Sequence, residues 1–462
     1  LTRVRREEDQ AVSFQRKLTV VANGVTTRAL GRVRMILLAL AVCVFAPALL
    51  GFVAGSASPR PGTLDGSFGA GGRAKVDFAG TVDTGLAMAL RPNGKIVLAG
   101  ATSPTMNADN DIGVAQLNPT GALDDSFGVG GHTAADFGAD EFATAVALQR
   151  DGKIVAAGRA SRGVTGRDFA VARISTKGLY DSSFGTGGRV TIDFGATDQA
   201  SALALRPNGK IVVVGYTVKG AVEDFAVAQL TQNGTLDSAF GANGHTAVDF
   251  GGVEDASAMA VQRDGKIVVV GSTTVGATRD FAVARINPNG TLDRSFGARG
   301  KLTVDFGDDD EASGIALRPD GRIVVAGNTT SVTHGRDFAV ARINRDGTLD
   351  GSFGVSGKST VDFGGLAVAL ALVLRPDGRI VLAGSARKGT DGSDDFAVAQ
   401  VTRNGRLDRS FGAGGKVKVD FGGSENAYAI TLQRDGKIVV AGSTNKGTNV
   451  YDFAVARLRG PR

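Results

Sequence analysis

Carboxylates at a fixed spacing are the residues of this chain best suited to chemistry. Four residues after the Phe of a recurring Asp-Phe-Gly stands an acid: Glu141, Asp198, Glu254, Asp310 and Glu425. Asp83 takes the place in the first copy, one residue later, and Ala367 interrupts the series. Set around the mouth of a channel, these acids would form a ring attractive to a hard cation such as Ca²⁺, which takes six to eight oxygens at ~2.3–2.6 Å. Acids on neighbouring units would stand ~10 Å apart, where two charges in water repel by only ~0.4 kcal/mol. Such a ring is tolerable without a metal and too wide for one ion. The spacing therefore favours turn chemistry, each acid capping its own local backbone.

Other residues also have types and spacings that could bind or react. Asn107, Asp109 and Asp111 alternate as oxygen ligands do in a calcium loop. However, Gly113 falls one position late and no Glu occupies the twelfth place. A second acid opens a strand in all seven copies: Asp111, Asp168, Asp224, Asp280, Asp337, Asp395 and Asp452. Asp65 and Asp77 recur as faithfully. A residue needed seven times supports seven units rather than one active site, so these are expected to be turn and strand-end hydrogen bonders. His132 and His245 share one repeat position and His334 stands apart, so no His cluster is expected. Neither G-x-S-x-G nor H-E-x-x-H is present. Asp-Phe-Gly has no accompanying kinase motifs and is expected to end a strand.

These residues need elements to carry them, and the chain repeats one set of elements seven times. L-D-x-S-F-G or a variant recurs at Phe68, Phe127, Phe184, Phe240, Phe296, Phe353 and Phe411, in steps of 56 to 59 residues. Each unit continues with a Val-Asp-Phe-Gly block, an Ala-rich apolar block, a turn and a second apolar block. It closes on Asp-Phe-Ala-Val-Ala-Arg. The turn is Asn208-Gly209, Asp264-Gly265 or Asp320-Gly321, the chemistry of a tight hairpin. Four short strands in about 57 residues predict one propeller blade. The fold class is all-β, a seven-bladed β-propeller. The last unit stops after Asp452 to Leu458 and the first begins with the blocks that it lacks. Residues 62–78 are thus expected to supply the outer strand of the blade built on residues 427–458. The Ala-rich block is expected innermost, with small residues at the axis and larger ones between blades.

The N-terminal part differs. Residues 35–57 hold a near-continuous apolar run behind Arg28, Arg32 and Arg34, the grammar of a signal peptide or an uncleaved signal anchor. Residues 1–34 are a leader of doubtful translation, with a start at Val25 or Val33 accounting for it. Residues 58–462 are the propeller. The only Cys, Cys43, lies in the apolar run, so the propeller has no thiol chemistry. Net charge is +6 for the chain but only +1 after residue 57, and no basic stripe interleaved with aromatics occurs, which speaks against nucleic acid. The loop before each Asp-Phe strand, as at 101–111, 159–168, 385–395 and 443–452, varies most between copies, which marks either tolerated drift or a ligand face.

The blocks L-D-x-S-F-G-x-G-G, V-D-F-G, A-L-R-P-D-G-K-I-V-V-A-G and D-F-A-V-A-R resemble the delta-60 repeat family of bacterial secreted proteins over residues 62–458. Ile112-Gly113, Ala79 and Leu366-Ala367 depart from the pattern. The resemblance implies a β-propeller of undefined biochemical role and carries over no catalytic residue. The expected function is a secreted or extracellular, non-enzymatic binding or scaffold module. Its partner would be a protein, glycan or cell-surface ligand. It would act as a monomer without an obligatory cofactor, touching the membrane only through an uncleaved N-terminal segment. The rival is a metal-dependent hydrolase or lactonase at the acid-ringed channel mouth, with calcium the first cation to test.

Overall fold

The structure, a computed structural model, describes residues 60–78, 82–103, 105, 109–161, 166–220, 222–331, 335–387, 389, 392–445 and 450–460. The signal-like segment, the leader, Asn107 and His334 lie outside the described residues. Contacts divide the chain into residues 1–58 and 59–462, and everything below concerns the second unit. Among the described residues every regular element is a strand, so no helix there is long and apolar enough to cross a membrane.

One blade shows how the repeat folds. Thr197–Leu205, Ile211–Lys219, Val222–Leu230 and His245–Val248 pair antiparallel in chain order. Pro207-Asn208-Gly209 joins the first two. Gly209 sits at φ +81°, where an L side chain is strained, and its amide donates to the Arg206 carbonyl at 2.9 Å. The same four strands recur over residues 82–135, 141–192, 197–248, 254–304, 310–361 and 367–419, here blades 1 to 6, with blade 1 joined to the last blade in one eight-stranded sheet by the parallel pair Val82 and Tyr451. Blade 7 combines Ser424–Leu432, Ile438–Asn445 and Tyr451–Leu458 with Arg73–Val76. Arg73 pairs with Ala456 and Val76 with Phe453. Leu64 bridges to Leu458. The N-terminal strand therefore completes the C-terminal blade, as the cut ends of the repeat require.

The first strands of successive blades pack against one another all the way round, and the first strand of blade 7 meets that of blade 1. The Ala-rich block is thus innermost. The core lies in the seams between blades. Val268, Val270, Phe281 and Val283 of blade 4 pack against Ala312, Ile323 and Val325 of blade 5. Burial of the second strand on both faces explains its continuous apolar run.

The expected division between axis and seam is corrected by a bulge. Pairing shifts register between Ala200 and Ala202, and at the same place in the other blades. Strict alternation would put Ala200 and Leu203 on opposite faces. The extra residue resets the phase, so both pack into the seam with blade 2, Ala200 fully buried. Opposite the bulge stands Gly215, whose Cβ would lie 1.9 Å from the Gln199 carbonyl oxygen. The Gly of every V-V-x-G run is there because the bulged backbone comes too close for a side chain.

Candidate functional site

The acids that follow Asp-Phe-Gly open the first strands, and all six are fully buried. Their partners are local. Asp83 accepts from the Phe78 amide (2.8 Å) and the Thr102 hydroxyl (2.7 Å). Glu254 accepts from the Gly252 amide (2.7 Å) and the Thr273 hydroxyl (2.9 Å). Glu425 repeats that pair with Gly423 and Thr444. Glu141, Asp198 and Asp310 accept from the amides of Phe137, Phe194 and Phe306. These are the backbone caps the spacing favoured.

Each of these carboxylates turns into the seam, where it meets two acids of the preceding blade. Asp111, Asp136 and Glu141 form one triad; Asp168, Asp193 and Asp198 another. Asp224 with Asp249 and Glu254, Asp280 with Asp305 and Asp310, and Asp395 with Asp420 and Glu425 complete five. In each, one oxygen per residue lies within 4.8 Å of the others. The closing seam brings the charges of Asp77 and Asp452 to bear on Asp83. The seam before blade 6 has Ala367 where the third acid would be. Three repeat positions that look separate in the sequence thus converge in space.

In each triad the acid that opens the first strand is buried, while the Asp of Asp-Phe-Gly is exposed or half-buried. Burial, only partly opposed by the Phe137 and Ala139 amides, pushes the Glu141 carboxyl up to about 7, with Asp136 and Asp111 adding to the rise. Burial likewise pushes Asp310 up to about 6 against the pull of its hydrogen bonds. Asp83, Asp198 and Glu425 are raised for the same first reason. Asp111 belongs to its triad, while Asp109 is exposed beside it. His132 and His245 stand in different blades, each edge-on to a Phe, His132 at 4.7 Å from Phe78 and His245 at 5.0 Å from Phe194.

The Asp65 position is a latch. Arg457 Nε donates to Asp65 Oδ2 at 2.8 Å, and its Nη1 donates to the Pro119 carbonyl of blade 1 at 2.6 Å. Arg285–Asp293 and Arg342–Asp350 repeat the arrangement at 2.7 Å. The guanidinium also covers the Phe of L-D-x-S-F-G, as Arg285 covers Phe296 at 4.5 Å.

The position that carries individuality is the next residue along. It reads Thr84, Phe142, Gln199, Asp255, Glu311, Val368 and Asn426, a different residue in every blade. Alternation turns it away from the preceding seam, and all seven are half-buried. On blades 3 to 5 these residues, with Arg159 of blade 2, join a polar crescent. Arg159 donates to Gln199 (3.1 Å), as does the Tyr216 hydroxyl (3.3 Å). Arg279 bridges Asp255 of its own blade and Glu311 of the next, the latter at 3.3 Å. Arg336 and Asn328 reach the other Glu311 oxygen at 3.4 Å. A cavity of about 300 Å³ opens there, lined by Gln199, Ser201, Tyr216, Asp255, Ser272 and Glu311. Glu223, half-buried beside it, has its carboxyl raised by burial and by Asp255. Burial and the nearby Arg167 lower Arg159 to about 10. A larger groove of about 750 Å³ lies by the hairpin turns of blades 2 and 3, where Arg206, Pro207, Asn208 and Gly209 are residues of the common repeat.

The crescent was not singled out from the sequence. Its signal was present: one repeat position with seven different residues, flanked by positions that hardly change. Arg279 and Arg336 come from the loops expected to vary, so that expectation pointed to the right neighbourhood.

Among curated proteins none matches the chain. Solved structures similar in fold include a protein of unknown function from Dyadobacter fermentans (13% identity, 84% of this chain and 98% of that one, TM-score 0.46). Others are the polysaccharide lyase Uly1 (12%, 82% and 90%, TM-score 0.47) and Sqt1 from Chaetomium thermophilum (14%, 84% and 97%, TM-score 0.44). At these values the likenesses do not bear on function. A family model described as a domain of unknown function (DUF5122) beta-propeller matches residues 91–127, 149–184, 206–240, 262–296, 318–353, 375–411 and 433–459. Seven matched segments on seven blades, together covering more than half of the sequence, make this chain a member of the DUF5122 beta-propeller family.

Proposed function

We propose that the protein is a secreted, non-enzymatic binding module that seats a polar group of its ligand, a protein or a glycan, in the crescent of blades 3 to 5. One observation carries this reading. A position that the repeat would keep constant differs in every blade, and Gln199, Asp255 and Glu311 line one cavity. The hydroxyls of Ser201, Ser272 and Tyr216 and the carboxylates offer donors and acceptors on a partly dried wall, the setting in which polar contacts discriminate best. Hydrolysis in this cavity is the weaker reading. Its acids would be Asp255 and Glu311, and Arg279 already bridges them, which suits a fixed recognition surface better than a proton shuttle.

The test is binding of the labelled full chain to cells or extracellular matrix of the producing organism. Glu311→Gln combined with Arg279→Ala should weaken saturable binding by ~10-fold or more, since each change removes a charge-assisted hydrogen bond, with an unchanged melting temperature. Equal binding by the double variant would sink the proposal. So would turnover of a polymeric substrate by the unaltered chain that the variant abolishes.

A further inference from the structure

We infer that the acidic seams are sites for a hard divalent cation such as calcium, one ion to a seam, and that the seam ending in Ala367 lacks one. The triad of Asp224, Asp249 and Glu254 argues it most directly. Its three carboxylates each place an oxygen within 4.8 Å of the others. Three carboxylate oxygens that close, completed by water, are the all-oxygen ligand set of a hard divalent cation such as calcium. A second observation points to a ligand independently of the clustering. Glu254 is fully buried, and only its Oε1 is used by the Gly252 amide and the Thr273 hydroxyl. Its Oε2 is buried and accepts nothing from the protein.

A buried carboxylate oxygen without a donor is costly, and three acids so close repel unless a cation or a proton lies among them. Nearby lysines do not fill that role. Lys301 Nζ is committed to the Asp249 main-chain carbonyl at 2.5 Å, and Lys219 acts on Asp224 only through its charge. Asp249 is exposed, so an ion would have an entry route and room for water ligands. Each seam would then be clamped by its ion, two ligands from one blade and one from the next. The inference is independent of the ligand proposed above, because the seam acids and the crescent residues point to opposite sides of the strand.

The experiment is equilibrium dialysis of the metal-stripped full chain against calcium chloride, with bound metal counted per chain. Glu254→Gln, nearly isosteric, should lower the saturating calcium count by one. Ala367→Glu, which completes the seam of Asp337 and Asp362, should raise it by one. No saturable calcium, or the same count in both variants as in the parent, would overturn the inference. If Glu254→Gln does not fold, the gain in Ala367→Glu decides alone.

Discussion

At the scale of single residues, the repeated acids divide into two kinds by what surrounds them. Asp65 is buried against Arg457. Burial alone would raise its carboxyl, but the Ser67 hydroxyl and amide, then Arg457 and Lys437, overcome this and bring it to about 2. Asp124, held by Lys95, Ser126 and Gln116, is also at about 2. A depressed carboxyl stabilises the fold fully above its unfolded value near 3.8 and loses that contribution as pH falls through the folded value. The latches should therefore weaken between pH 4 and 2, each by about 2 kcal/mol. Thermal unfolding followed by circular dichroism across that range should show a steep fall in midpoint, shallower in Asp65→Asn. A midpoint flat down to pH 2 would contradict the latch. Types and spacing alone showed that these acids are structural. They did not show that Glu254 and Asp255, adjacent in sequence, serve different ends. That distinction needs the strand's facing relative to a neighbouring blade, which one chain segment does not contain.

At the scale of elements, strands and hairpins were legible because each has local chemistry: Asn-Gly or Asp-Gly turns, Val-rich runs, a short polar outer strand. The bulge was not. Ala200, Ala202 and Ala204 read as an even alternation, and only the pairing with Ile211–Lys219 reveals the skipped residue. Its cost appears in the partner strand as Gly215. Gly215→Ala should destabilise by about 2–4 kcal/mol, because Cβ must push the Gln199 carbonyl aside. Gly66→Ala, with nothing within 4 Å of the added carbon, should be close to neutral. Urea unfolding midpoints compare the two, and equal shifts would remove the steric account.

At the scale of the whole molecule, closure was legible because the terminal units are cut in complementary places. The cavity of blades 3 to 5 was not, since it is assembled from residues about 56 apart whose convergence depends on the ring. Closure makes a strong prediction. Removing residues 60–78 uncovers the edge of Tyr451–Leu458 and takes Phe68 and Val76 from the core of the last seam. The melting midpoint should fall by on the order of 10 °C, since two or more large apolar side chains leave the core. Removing residues 461–462 should leave it unchanged, and matching midpoints would refute the exchange of strands. The same closing blade has a further consequence. The Gly62 amide donates to the Arg459 carbonyl at 2.7 Å, and the Arg459 amide to the Thr63 carbonyl at 2.8 Å. The two ends of the propeller are thus hydrogen-bonded neighbours beside the closing blade, and a short linker would splice them. The ring has no intrinsic first blade: reopened at any hairpin tip, such as Asn289-Gly290, the permuted chain would trace the same circle from a different starting point.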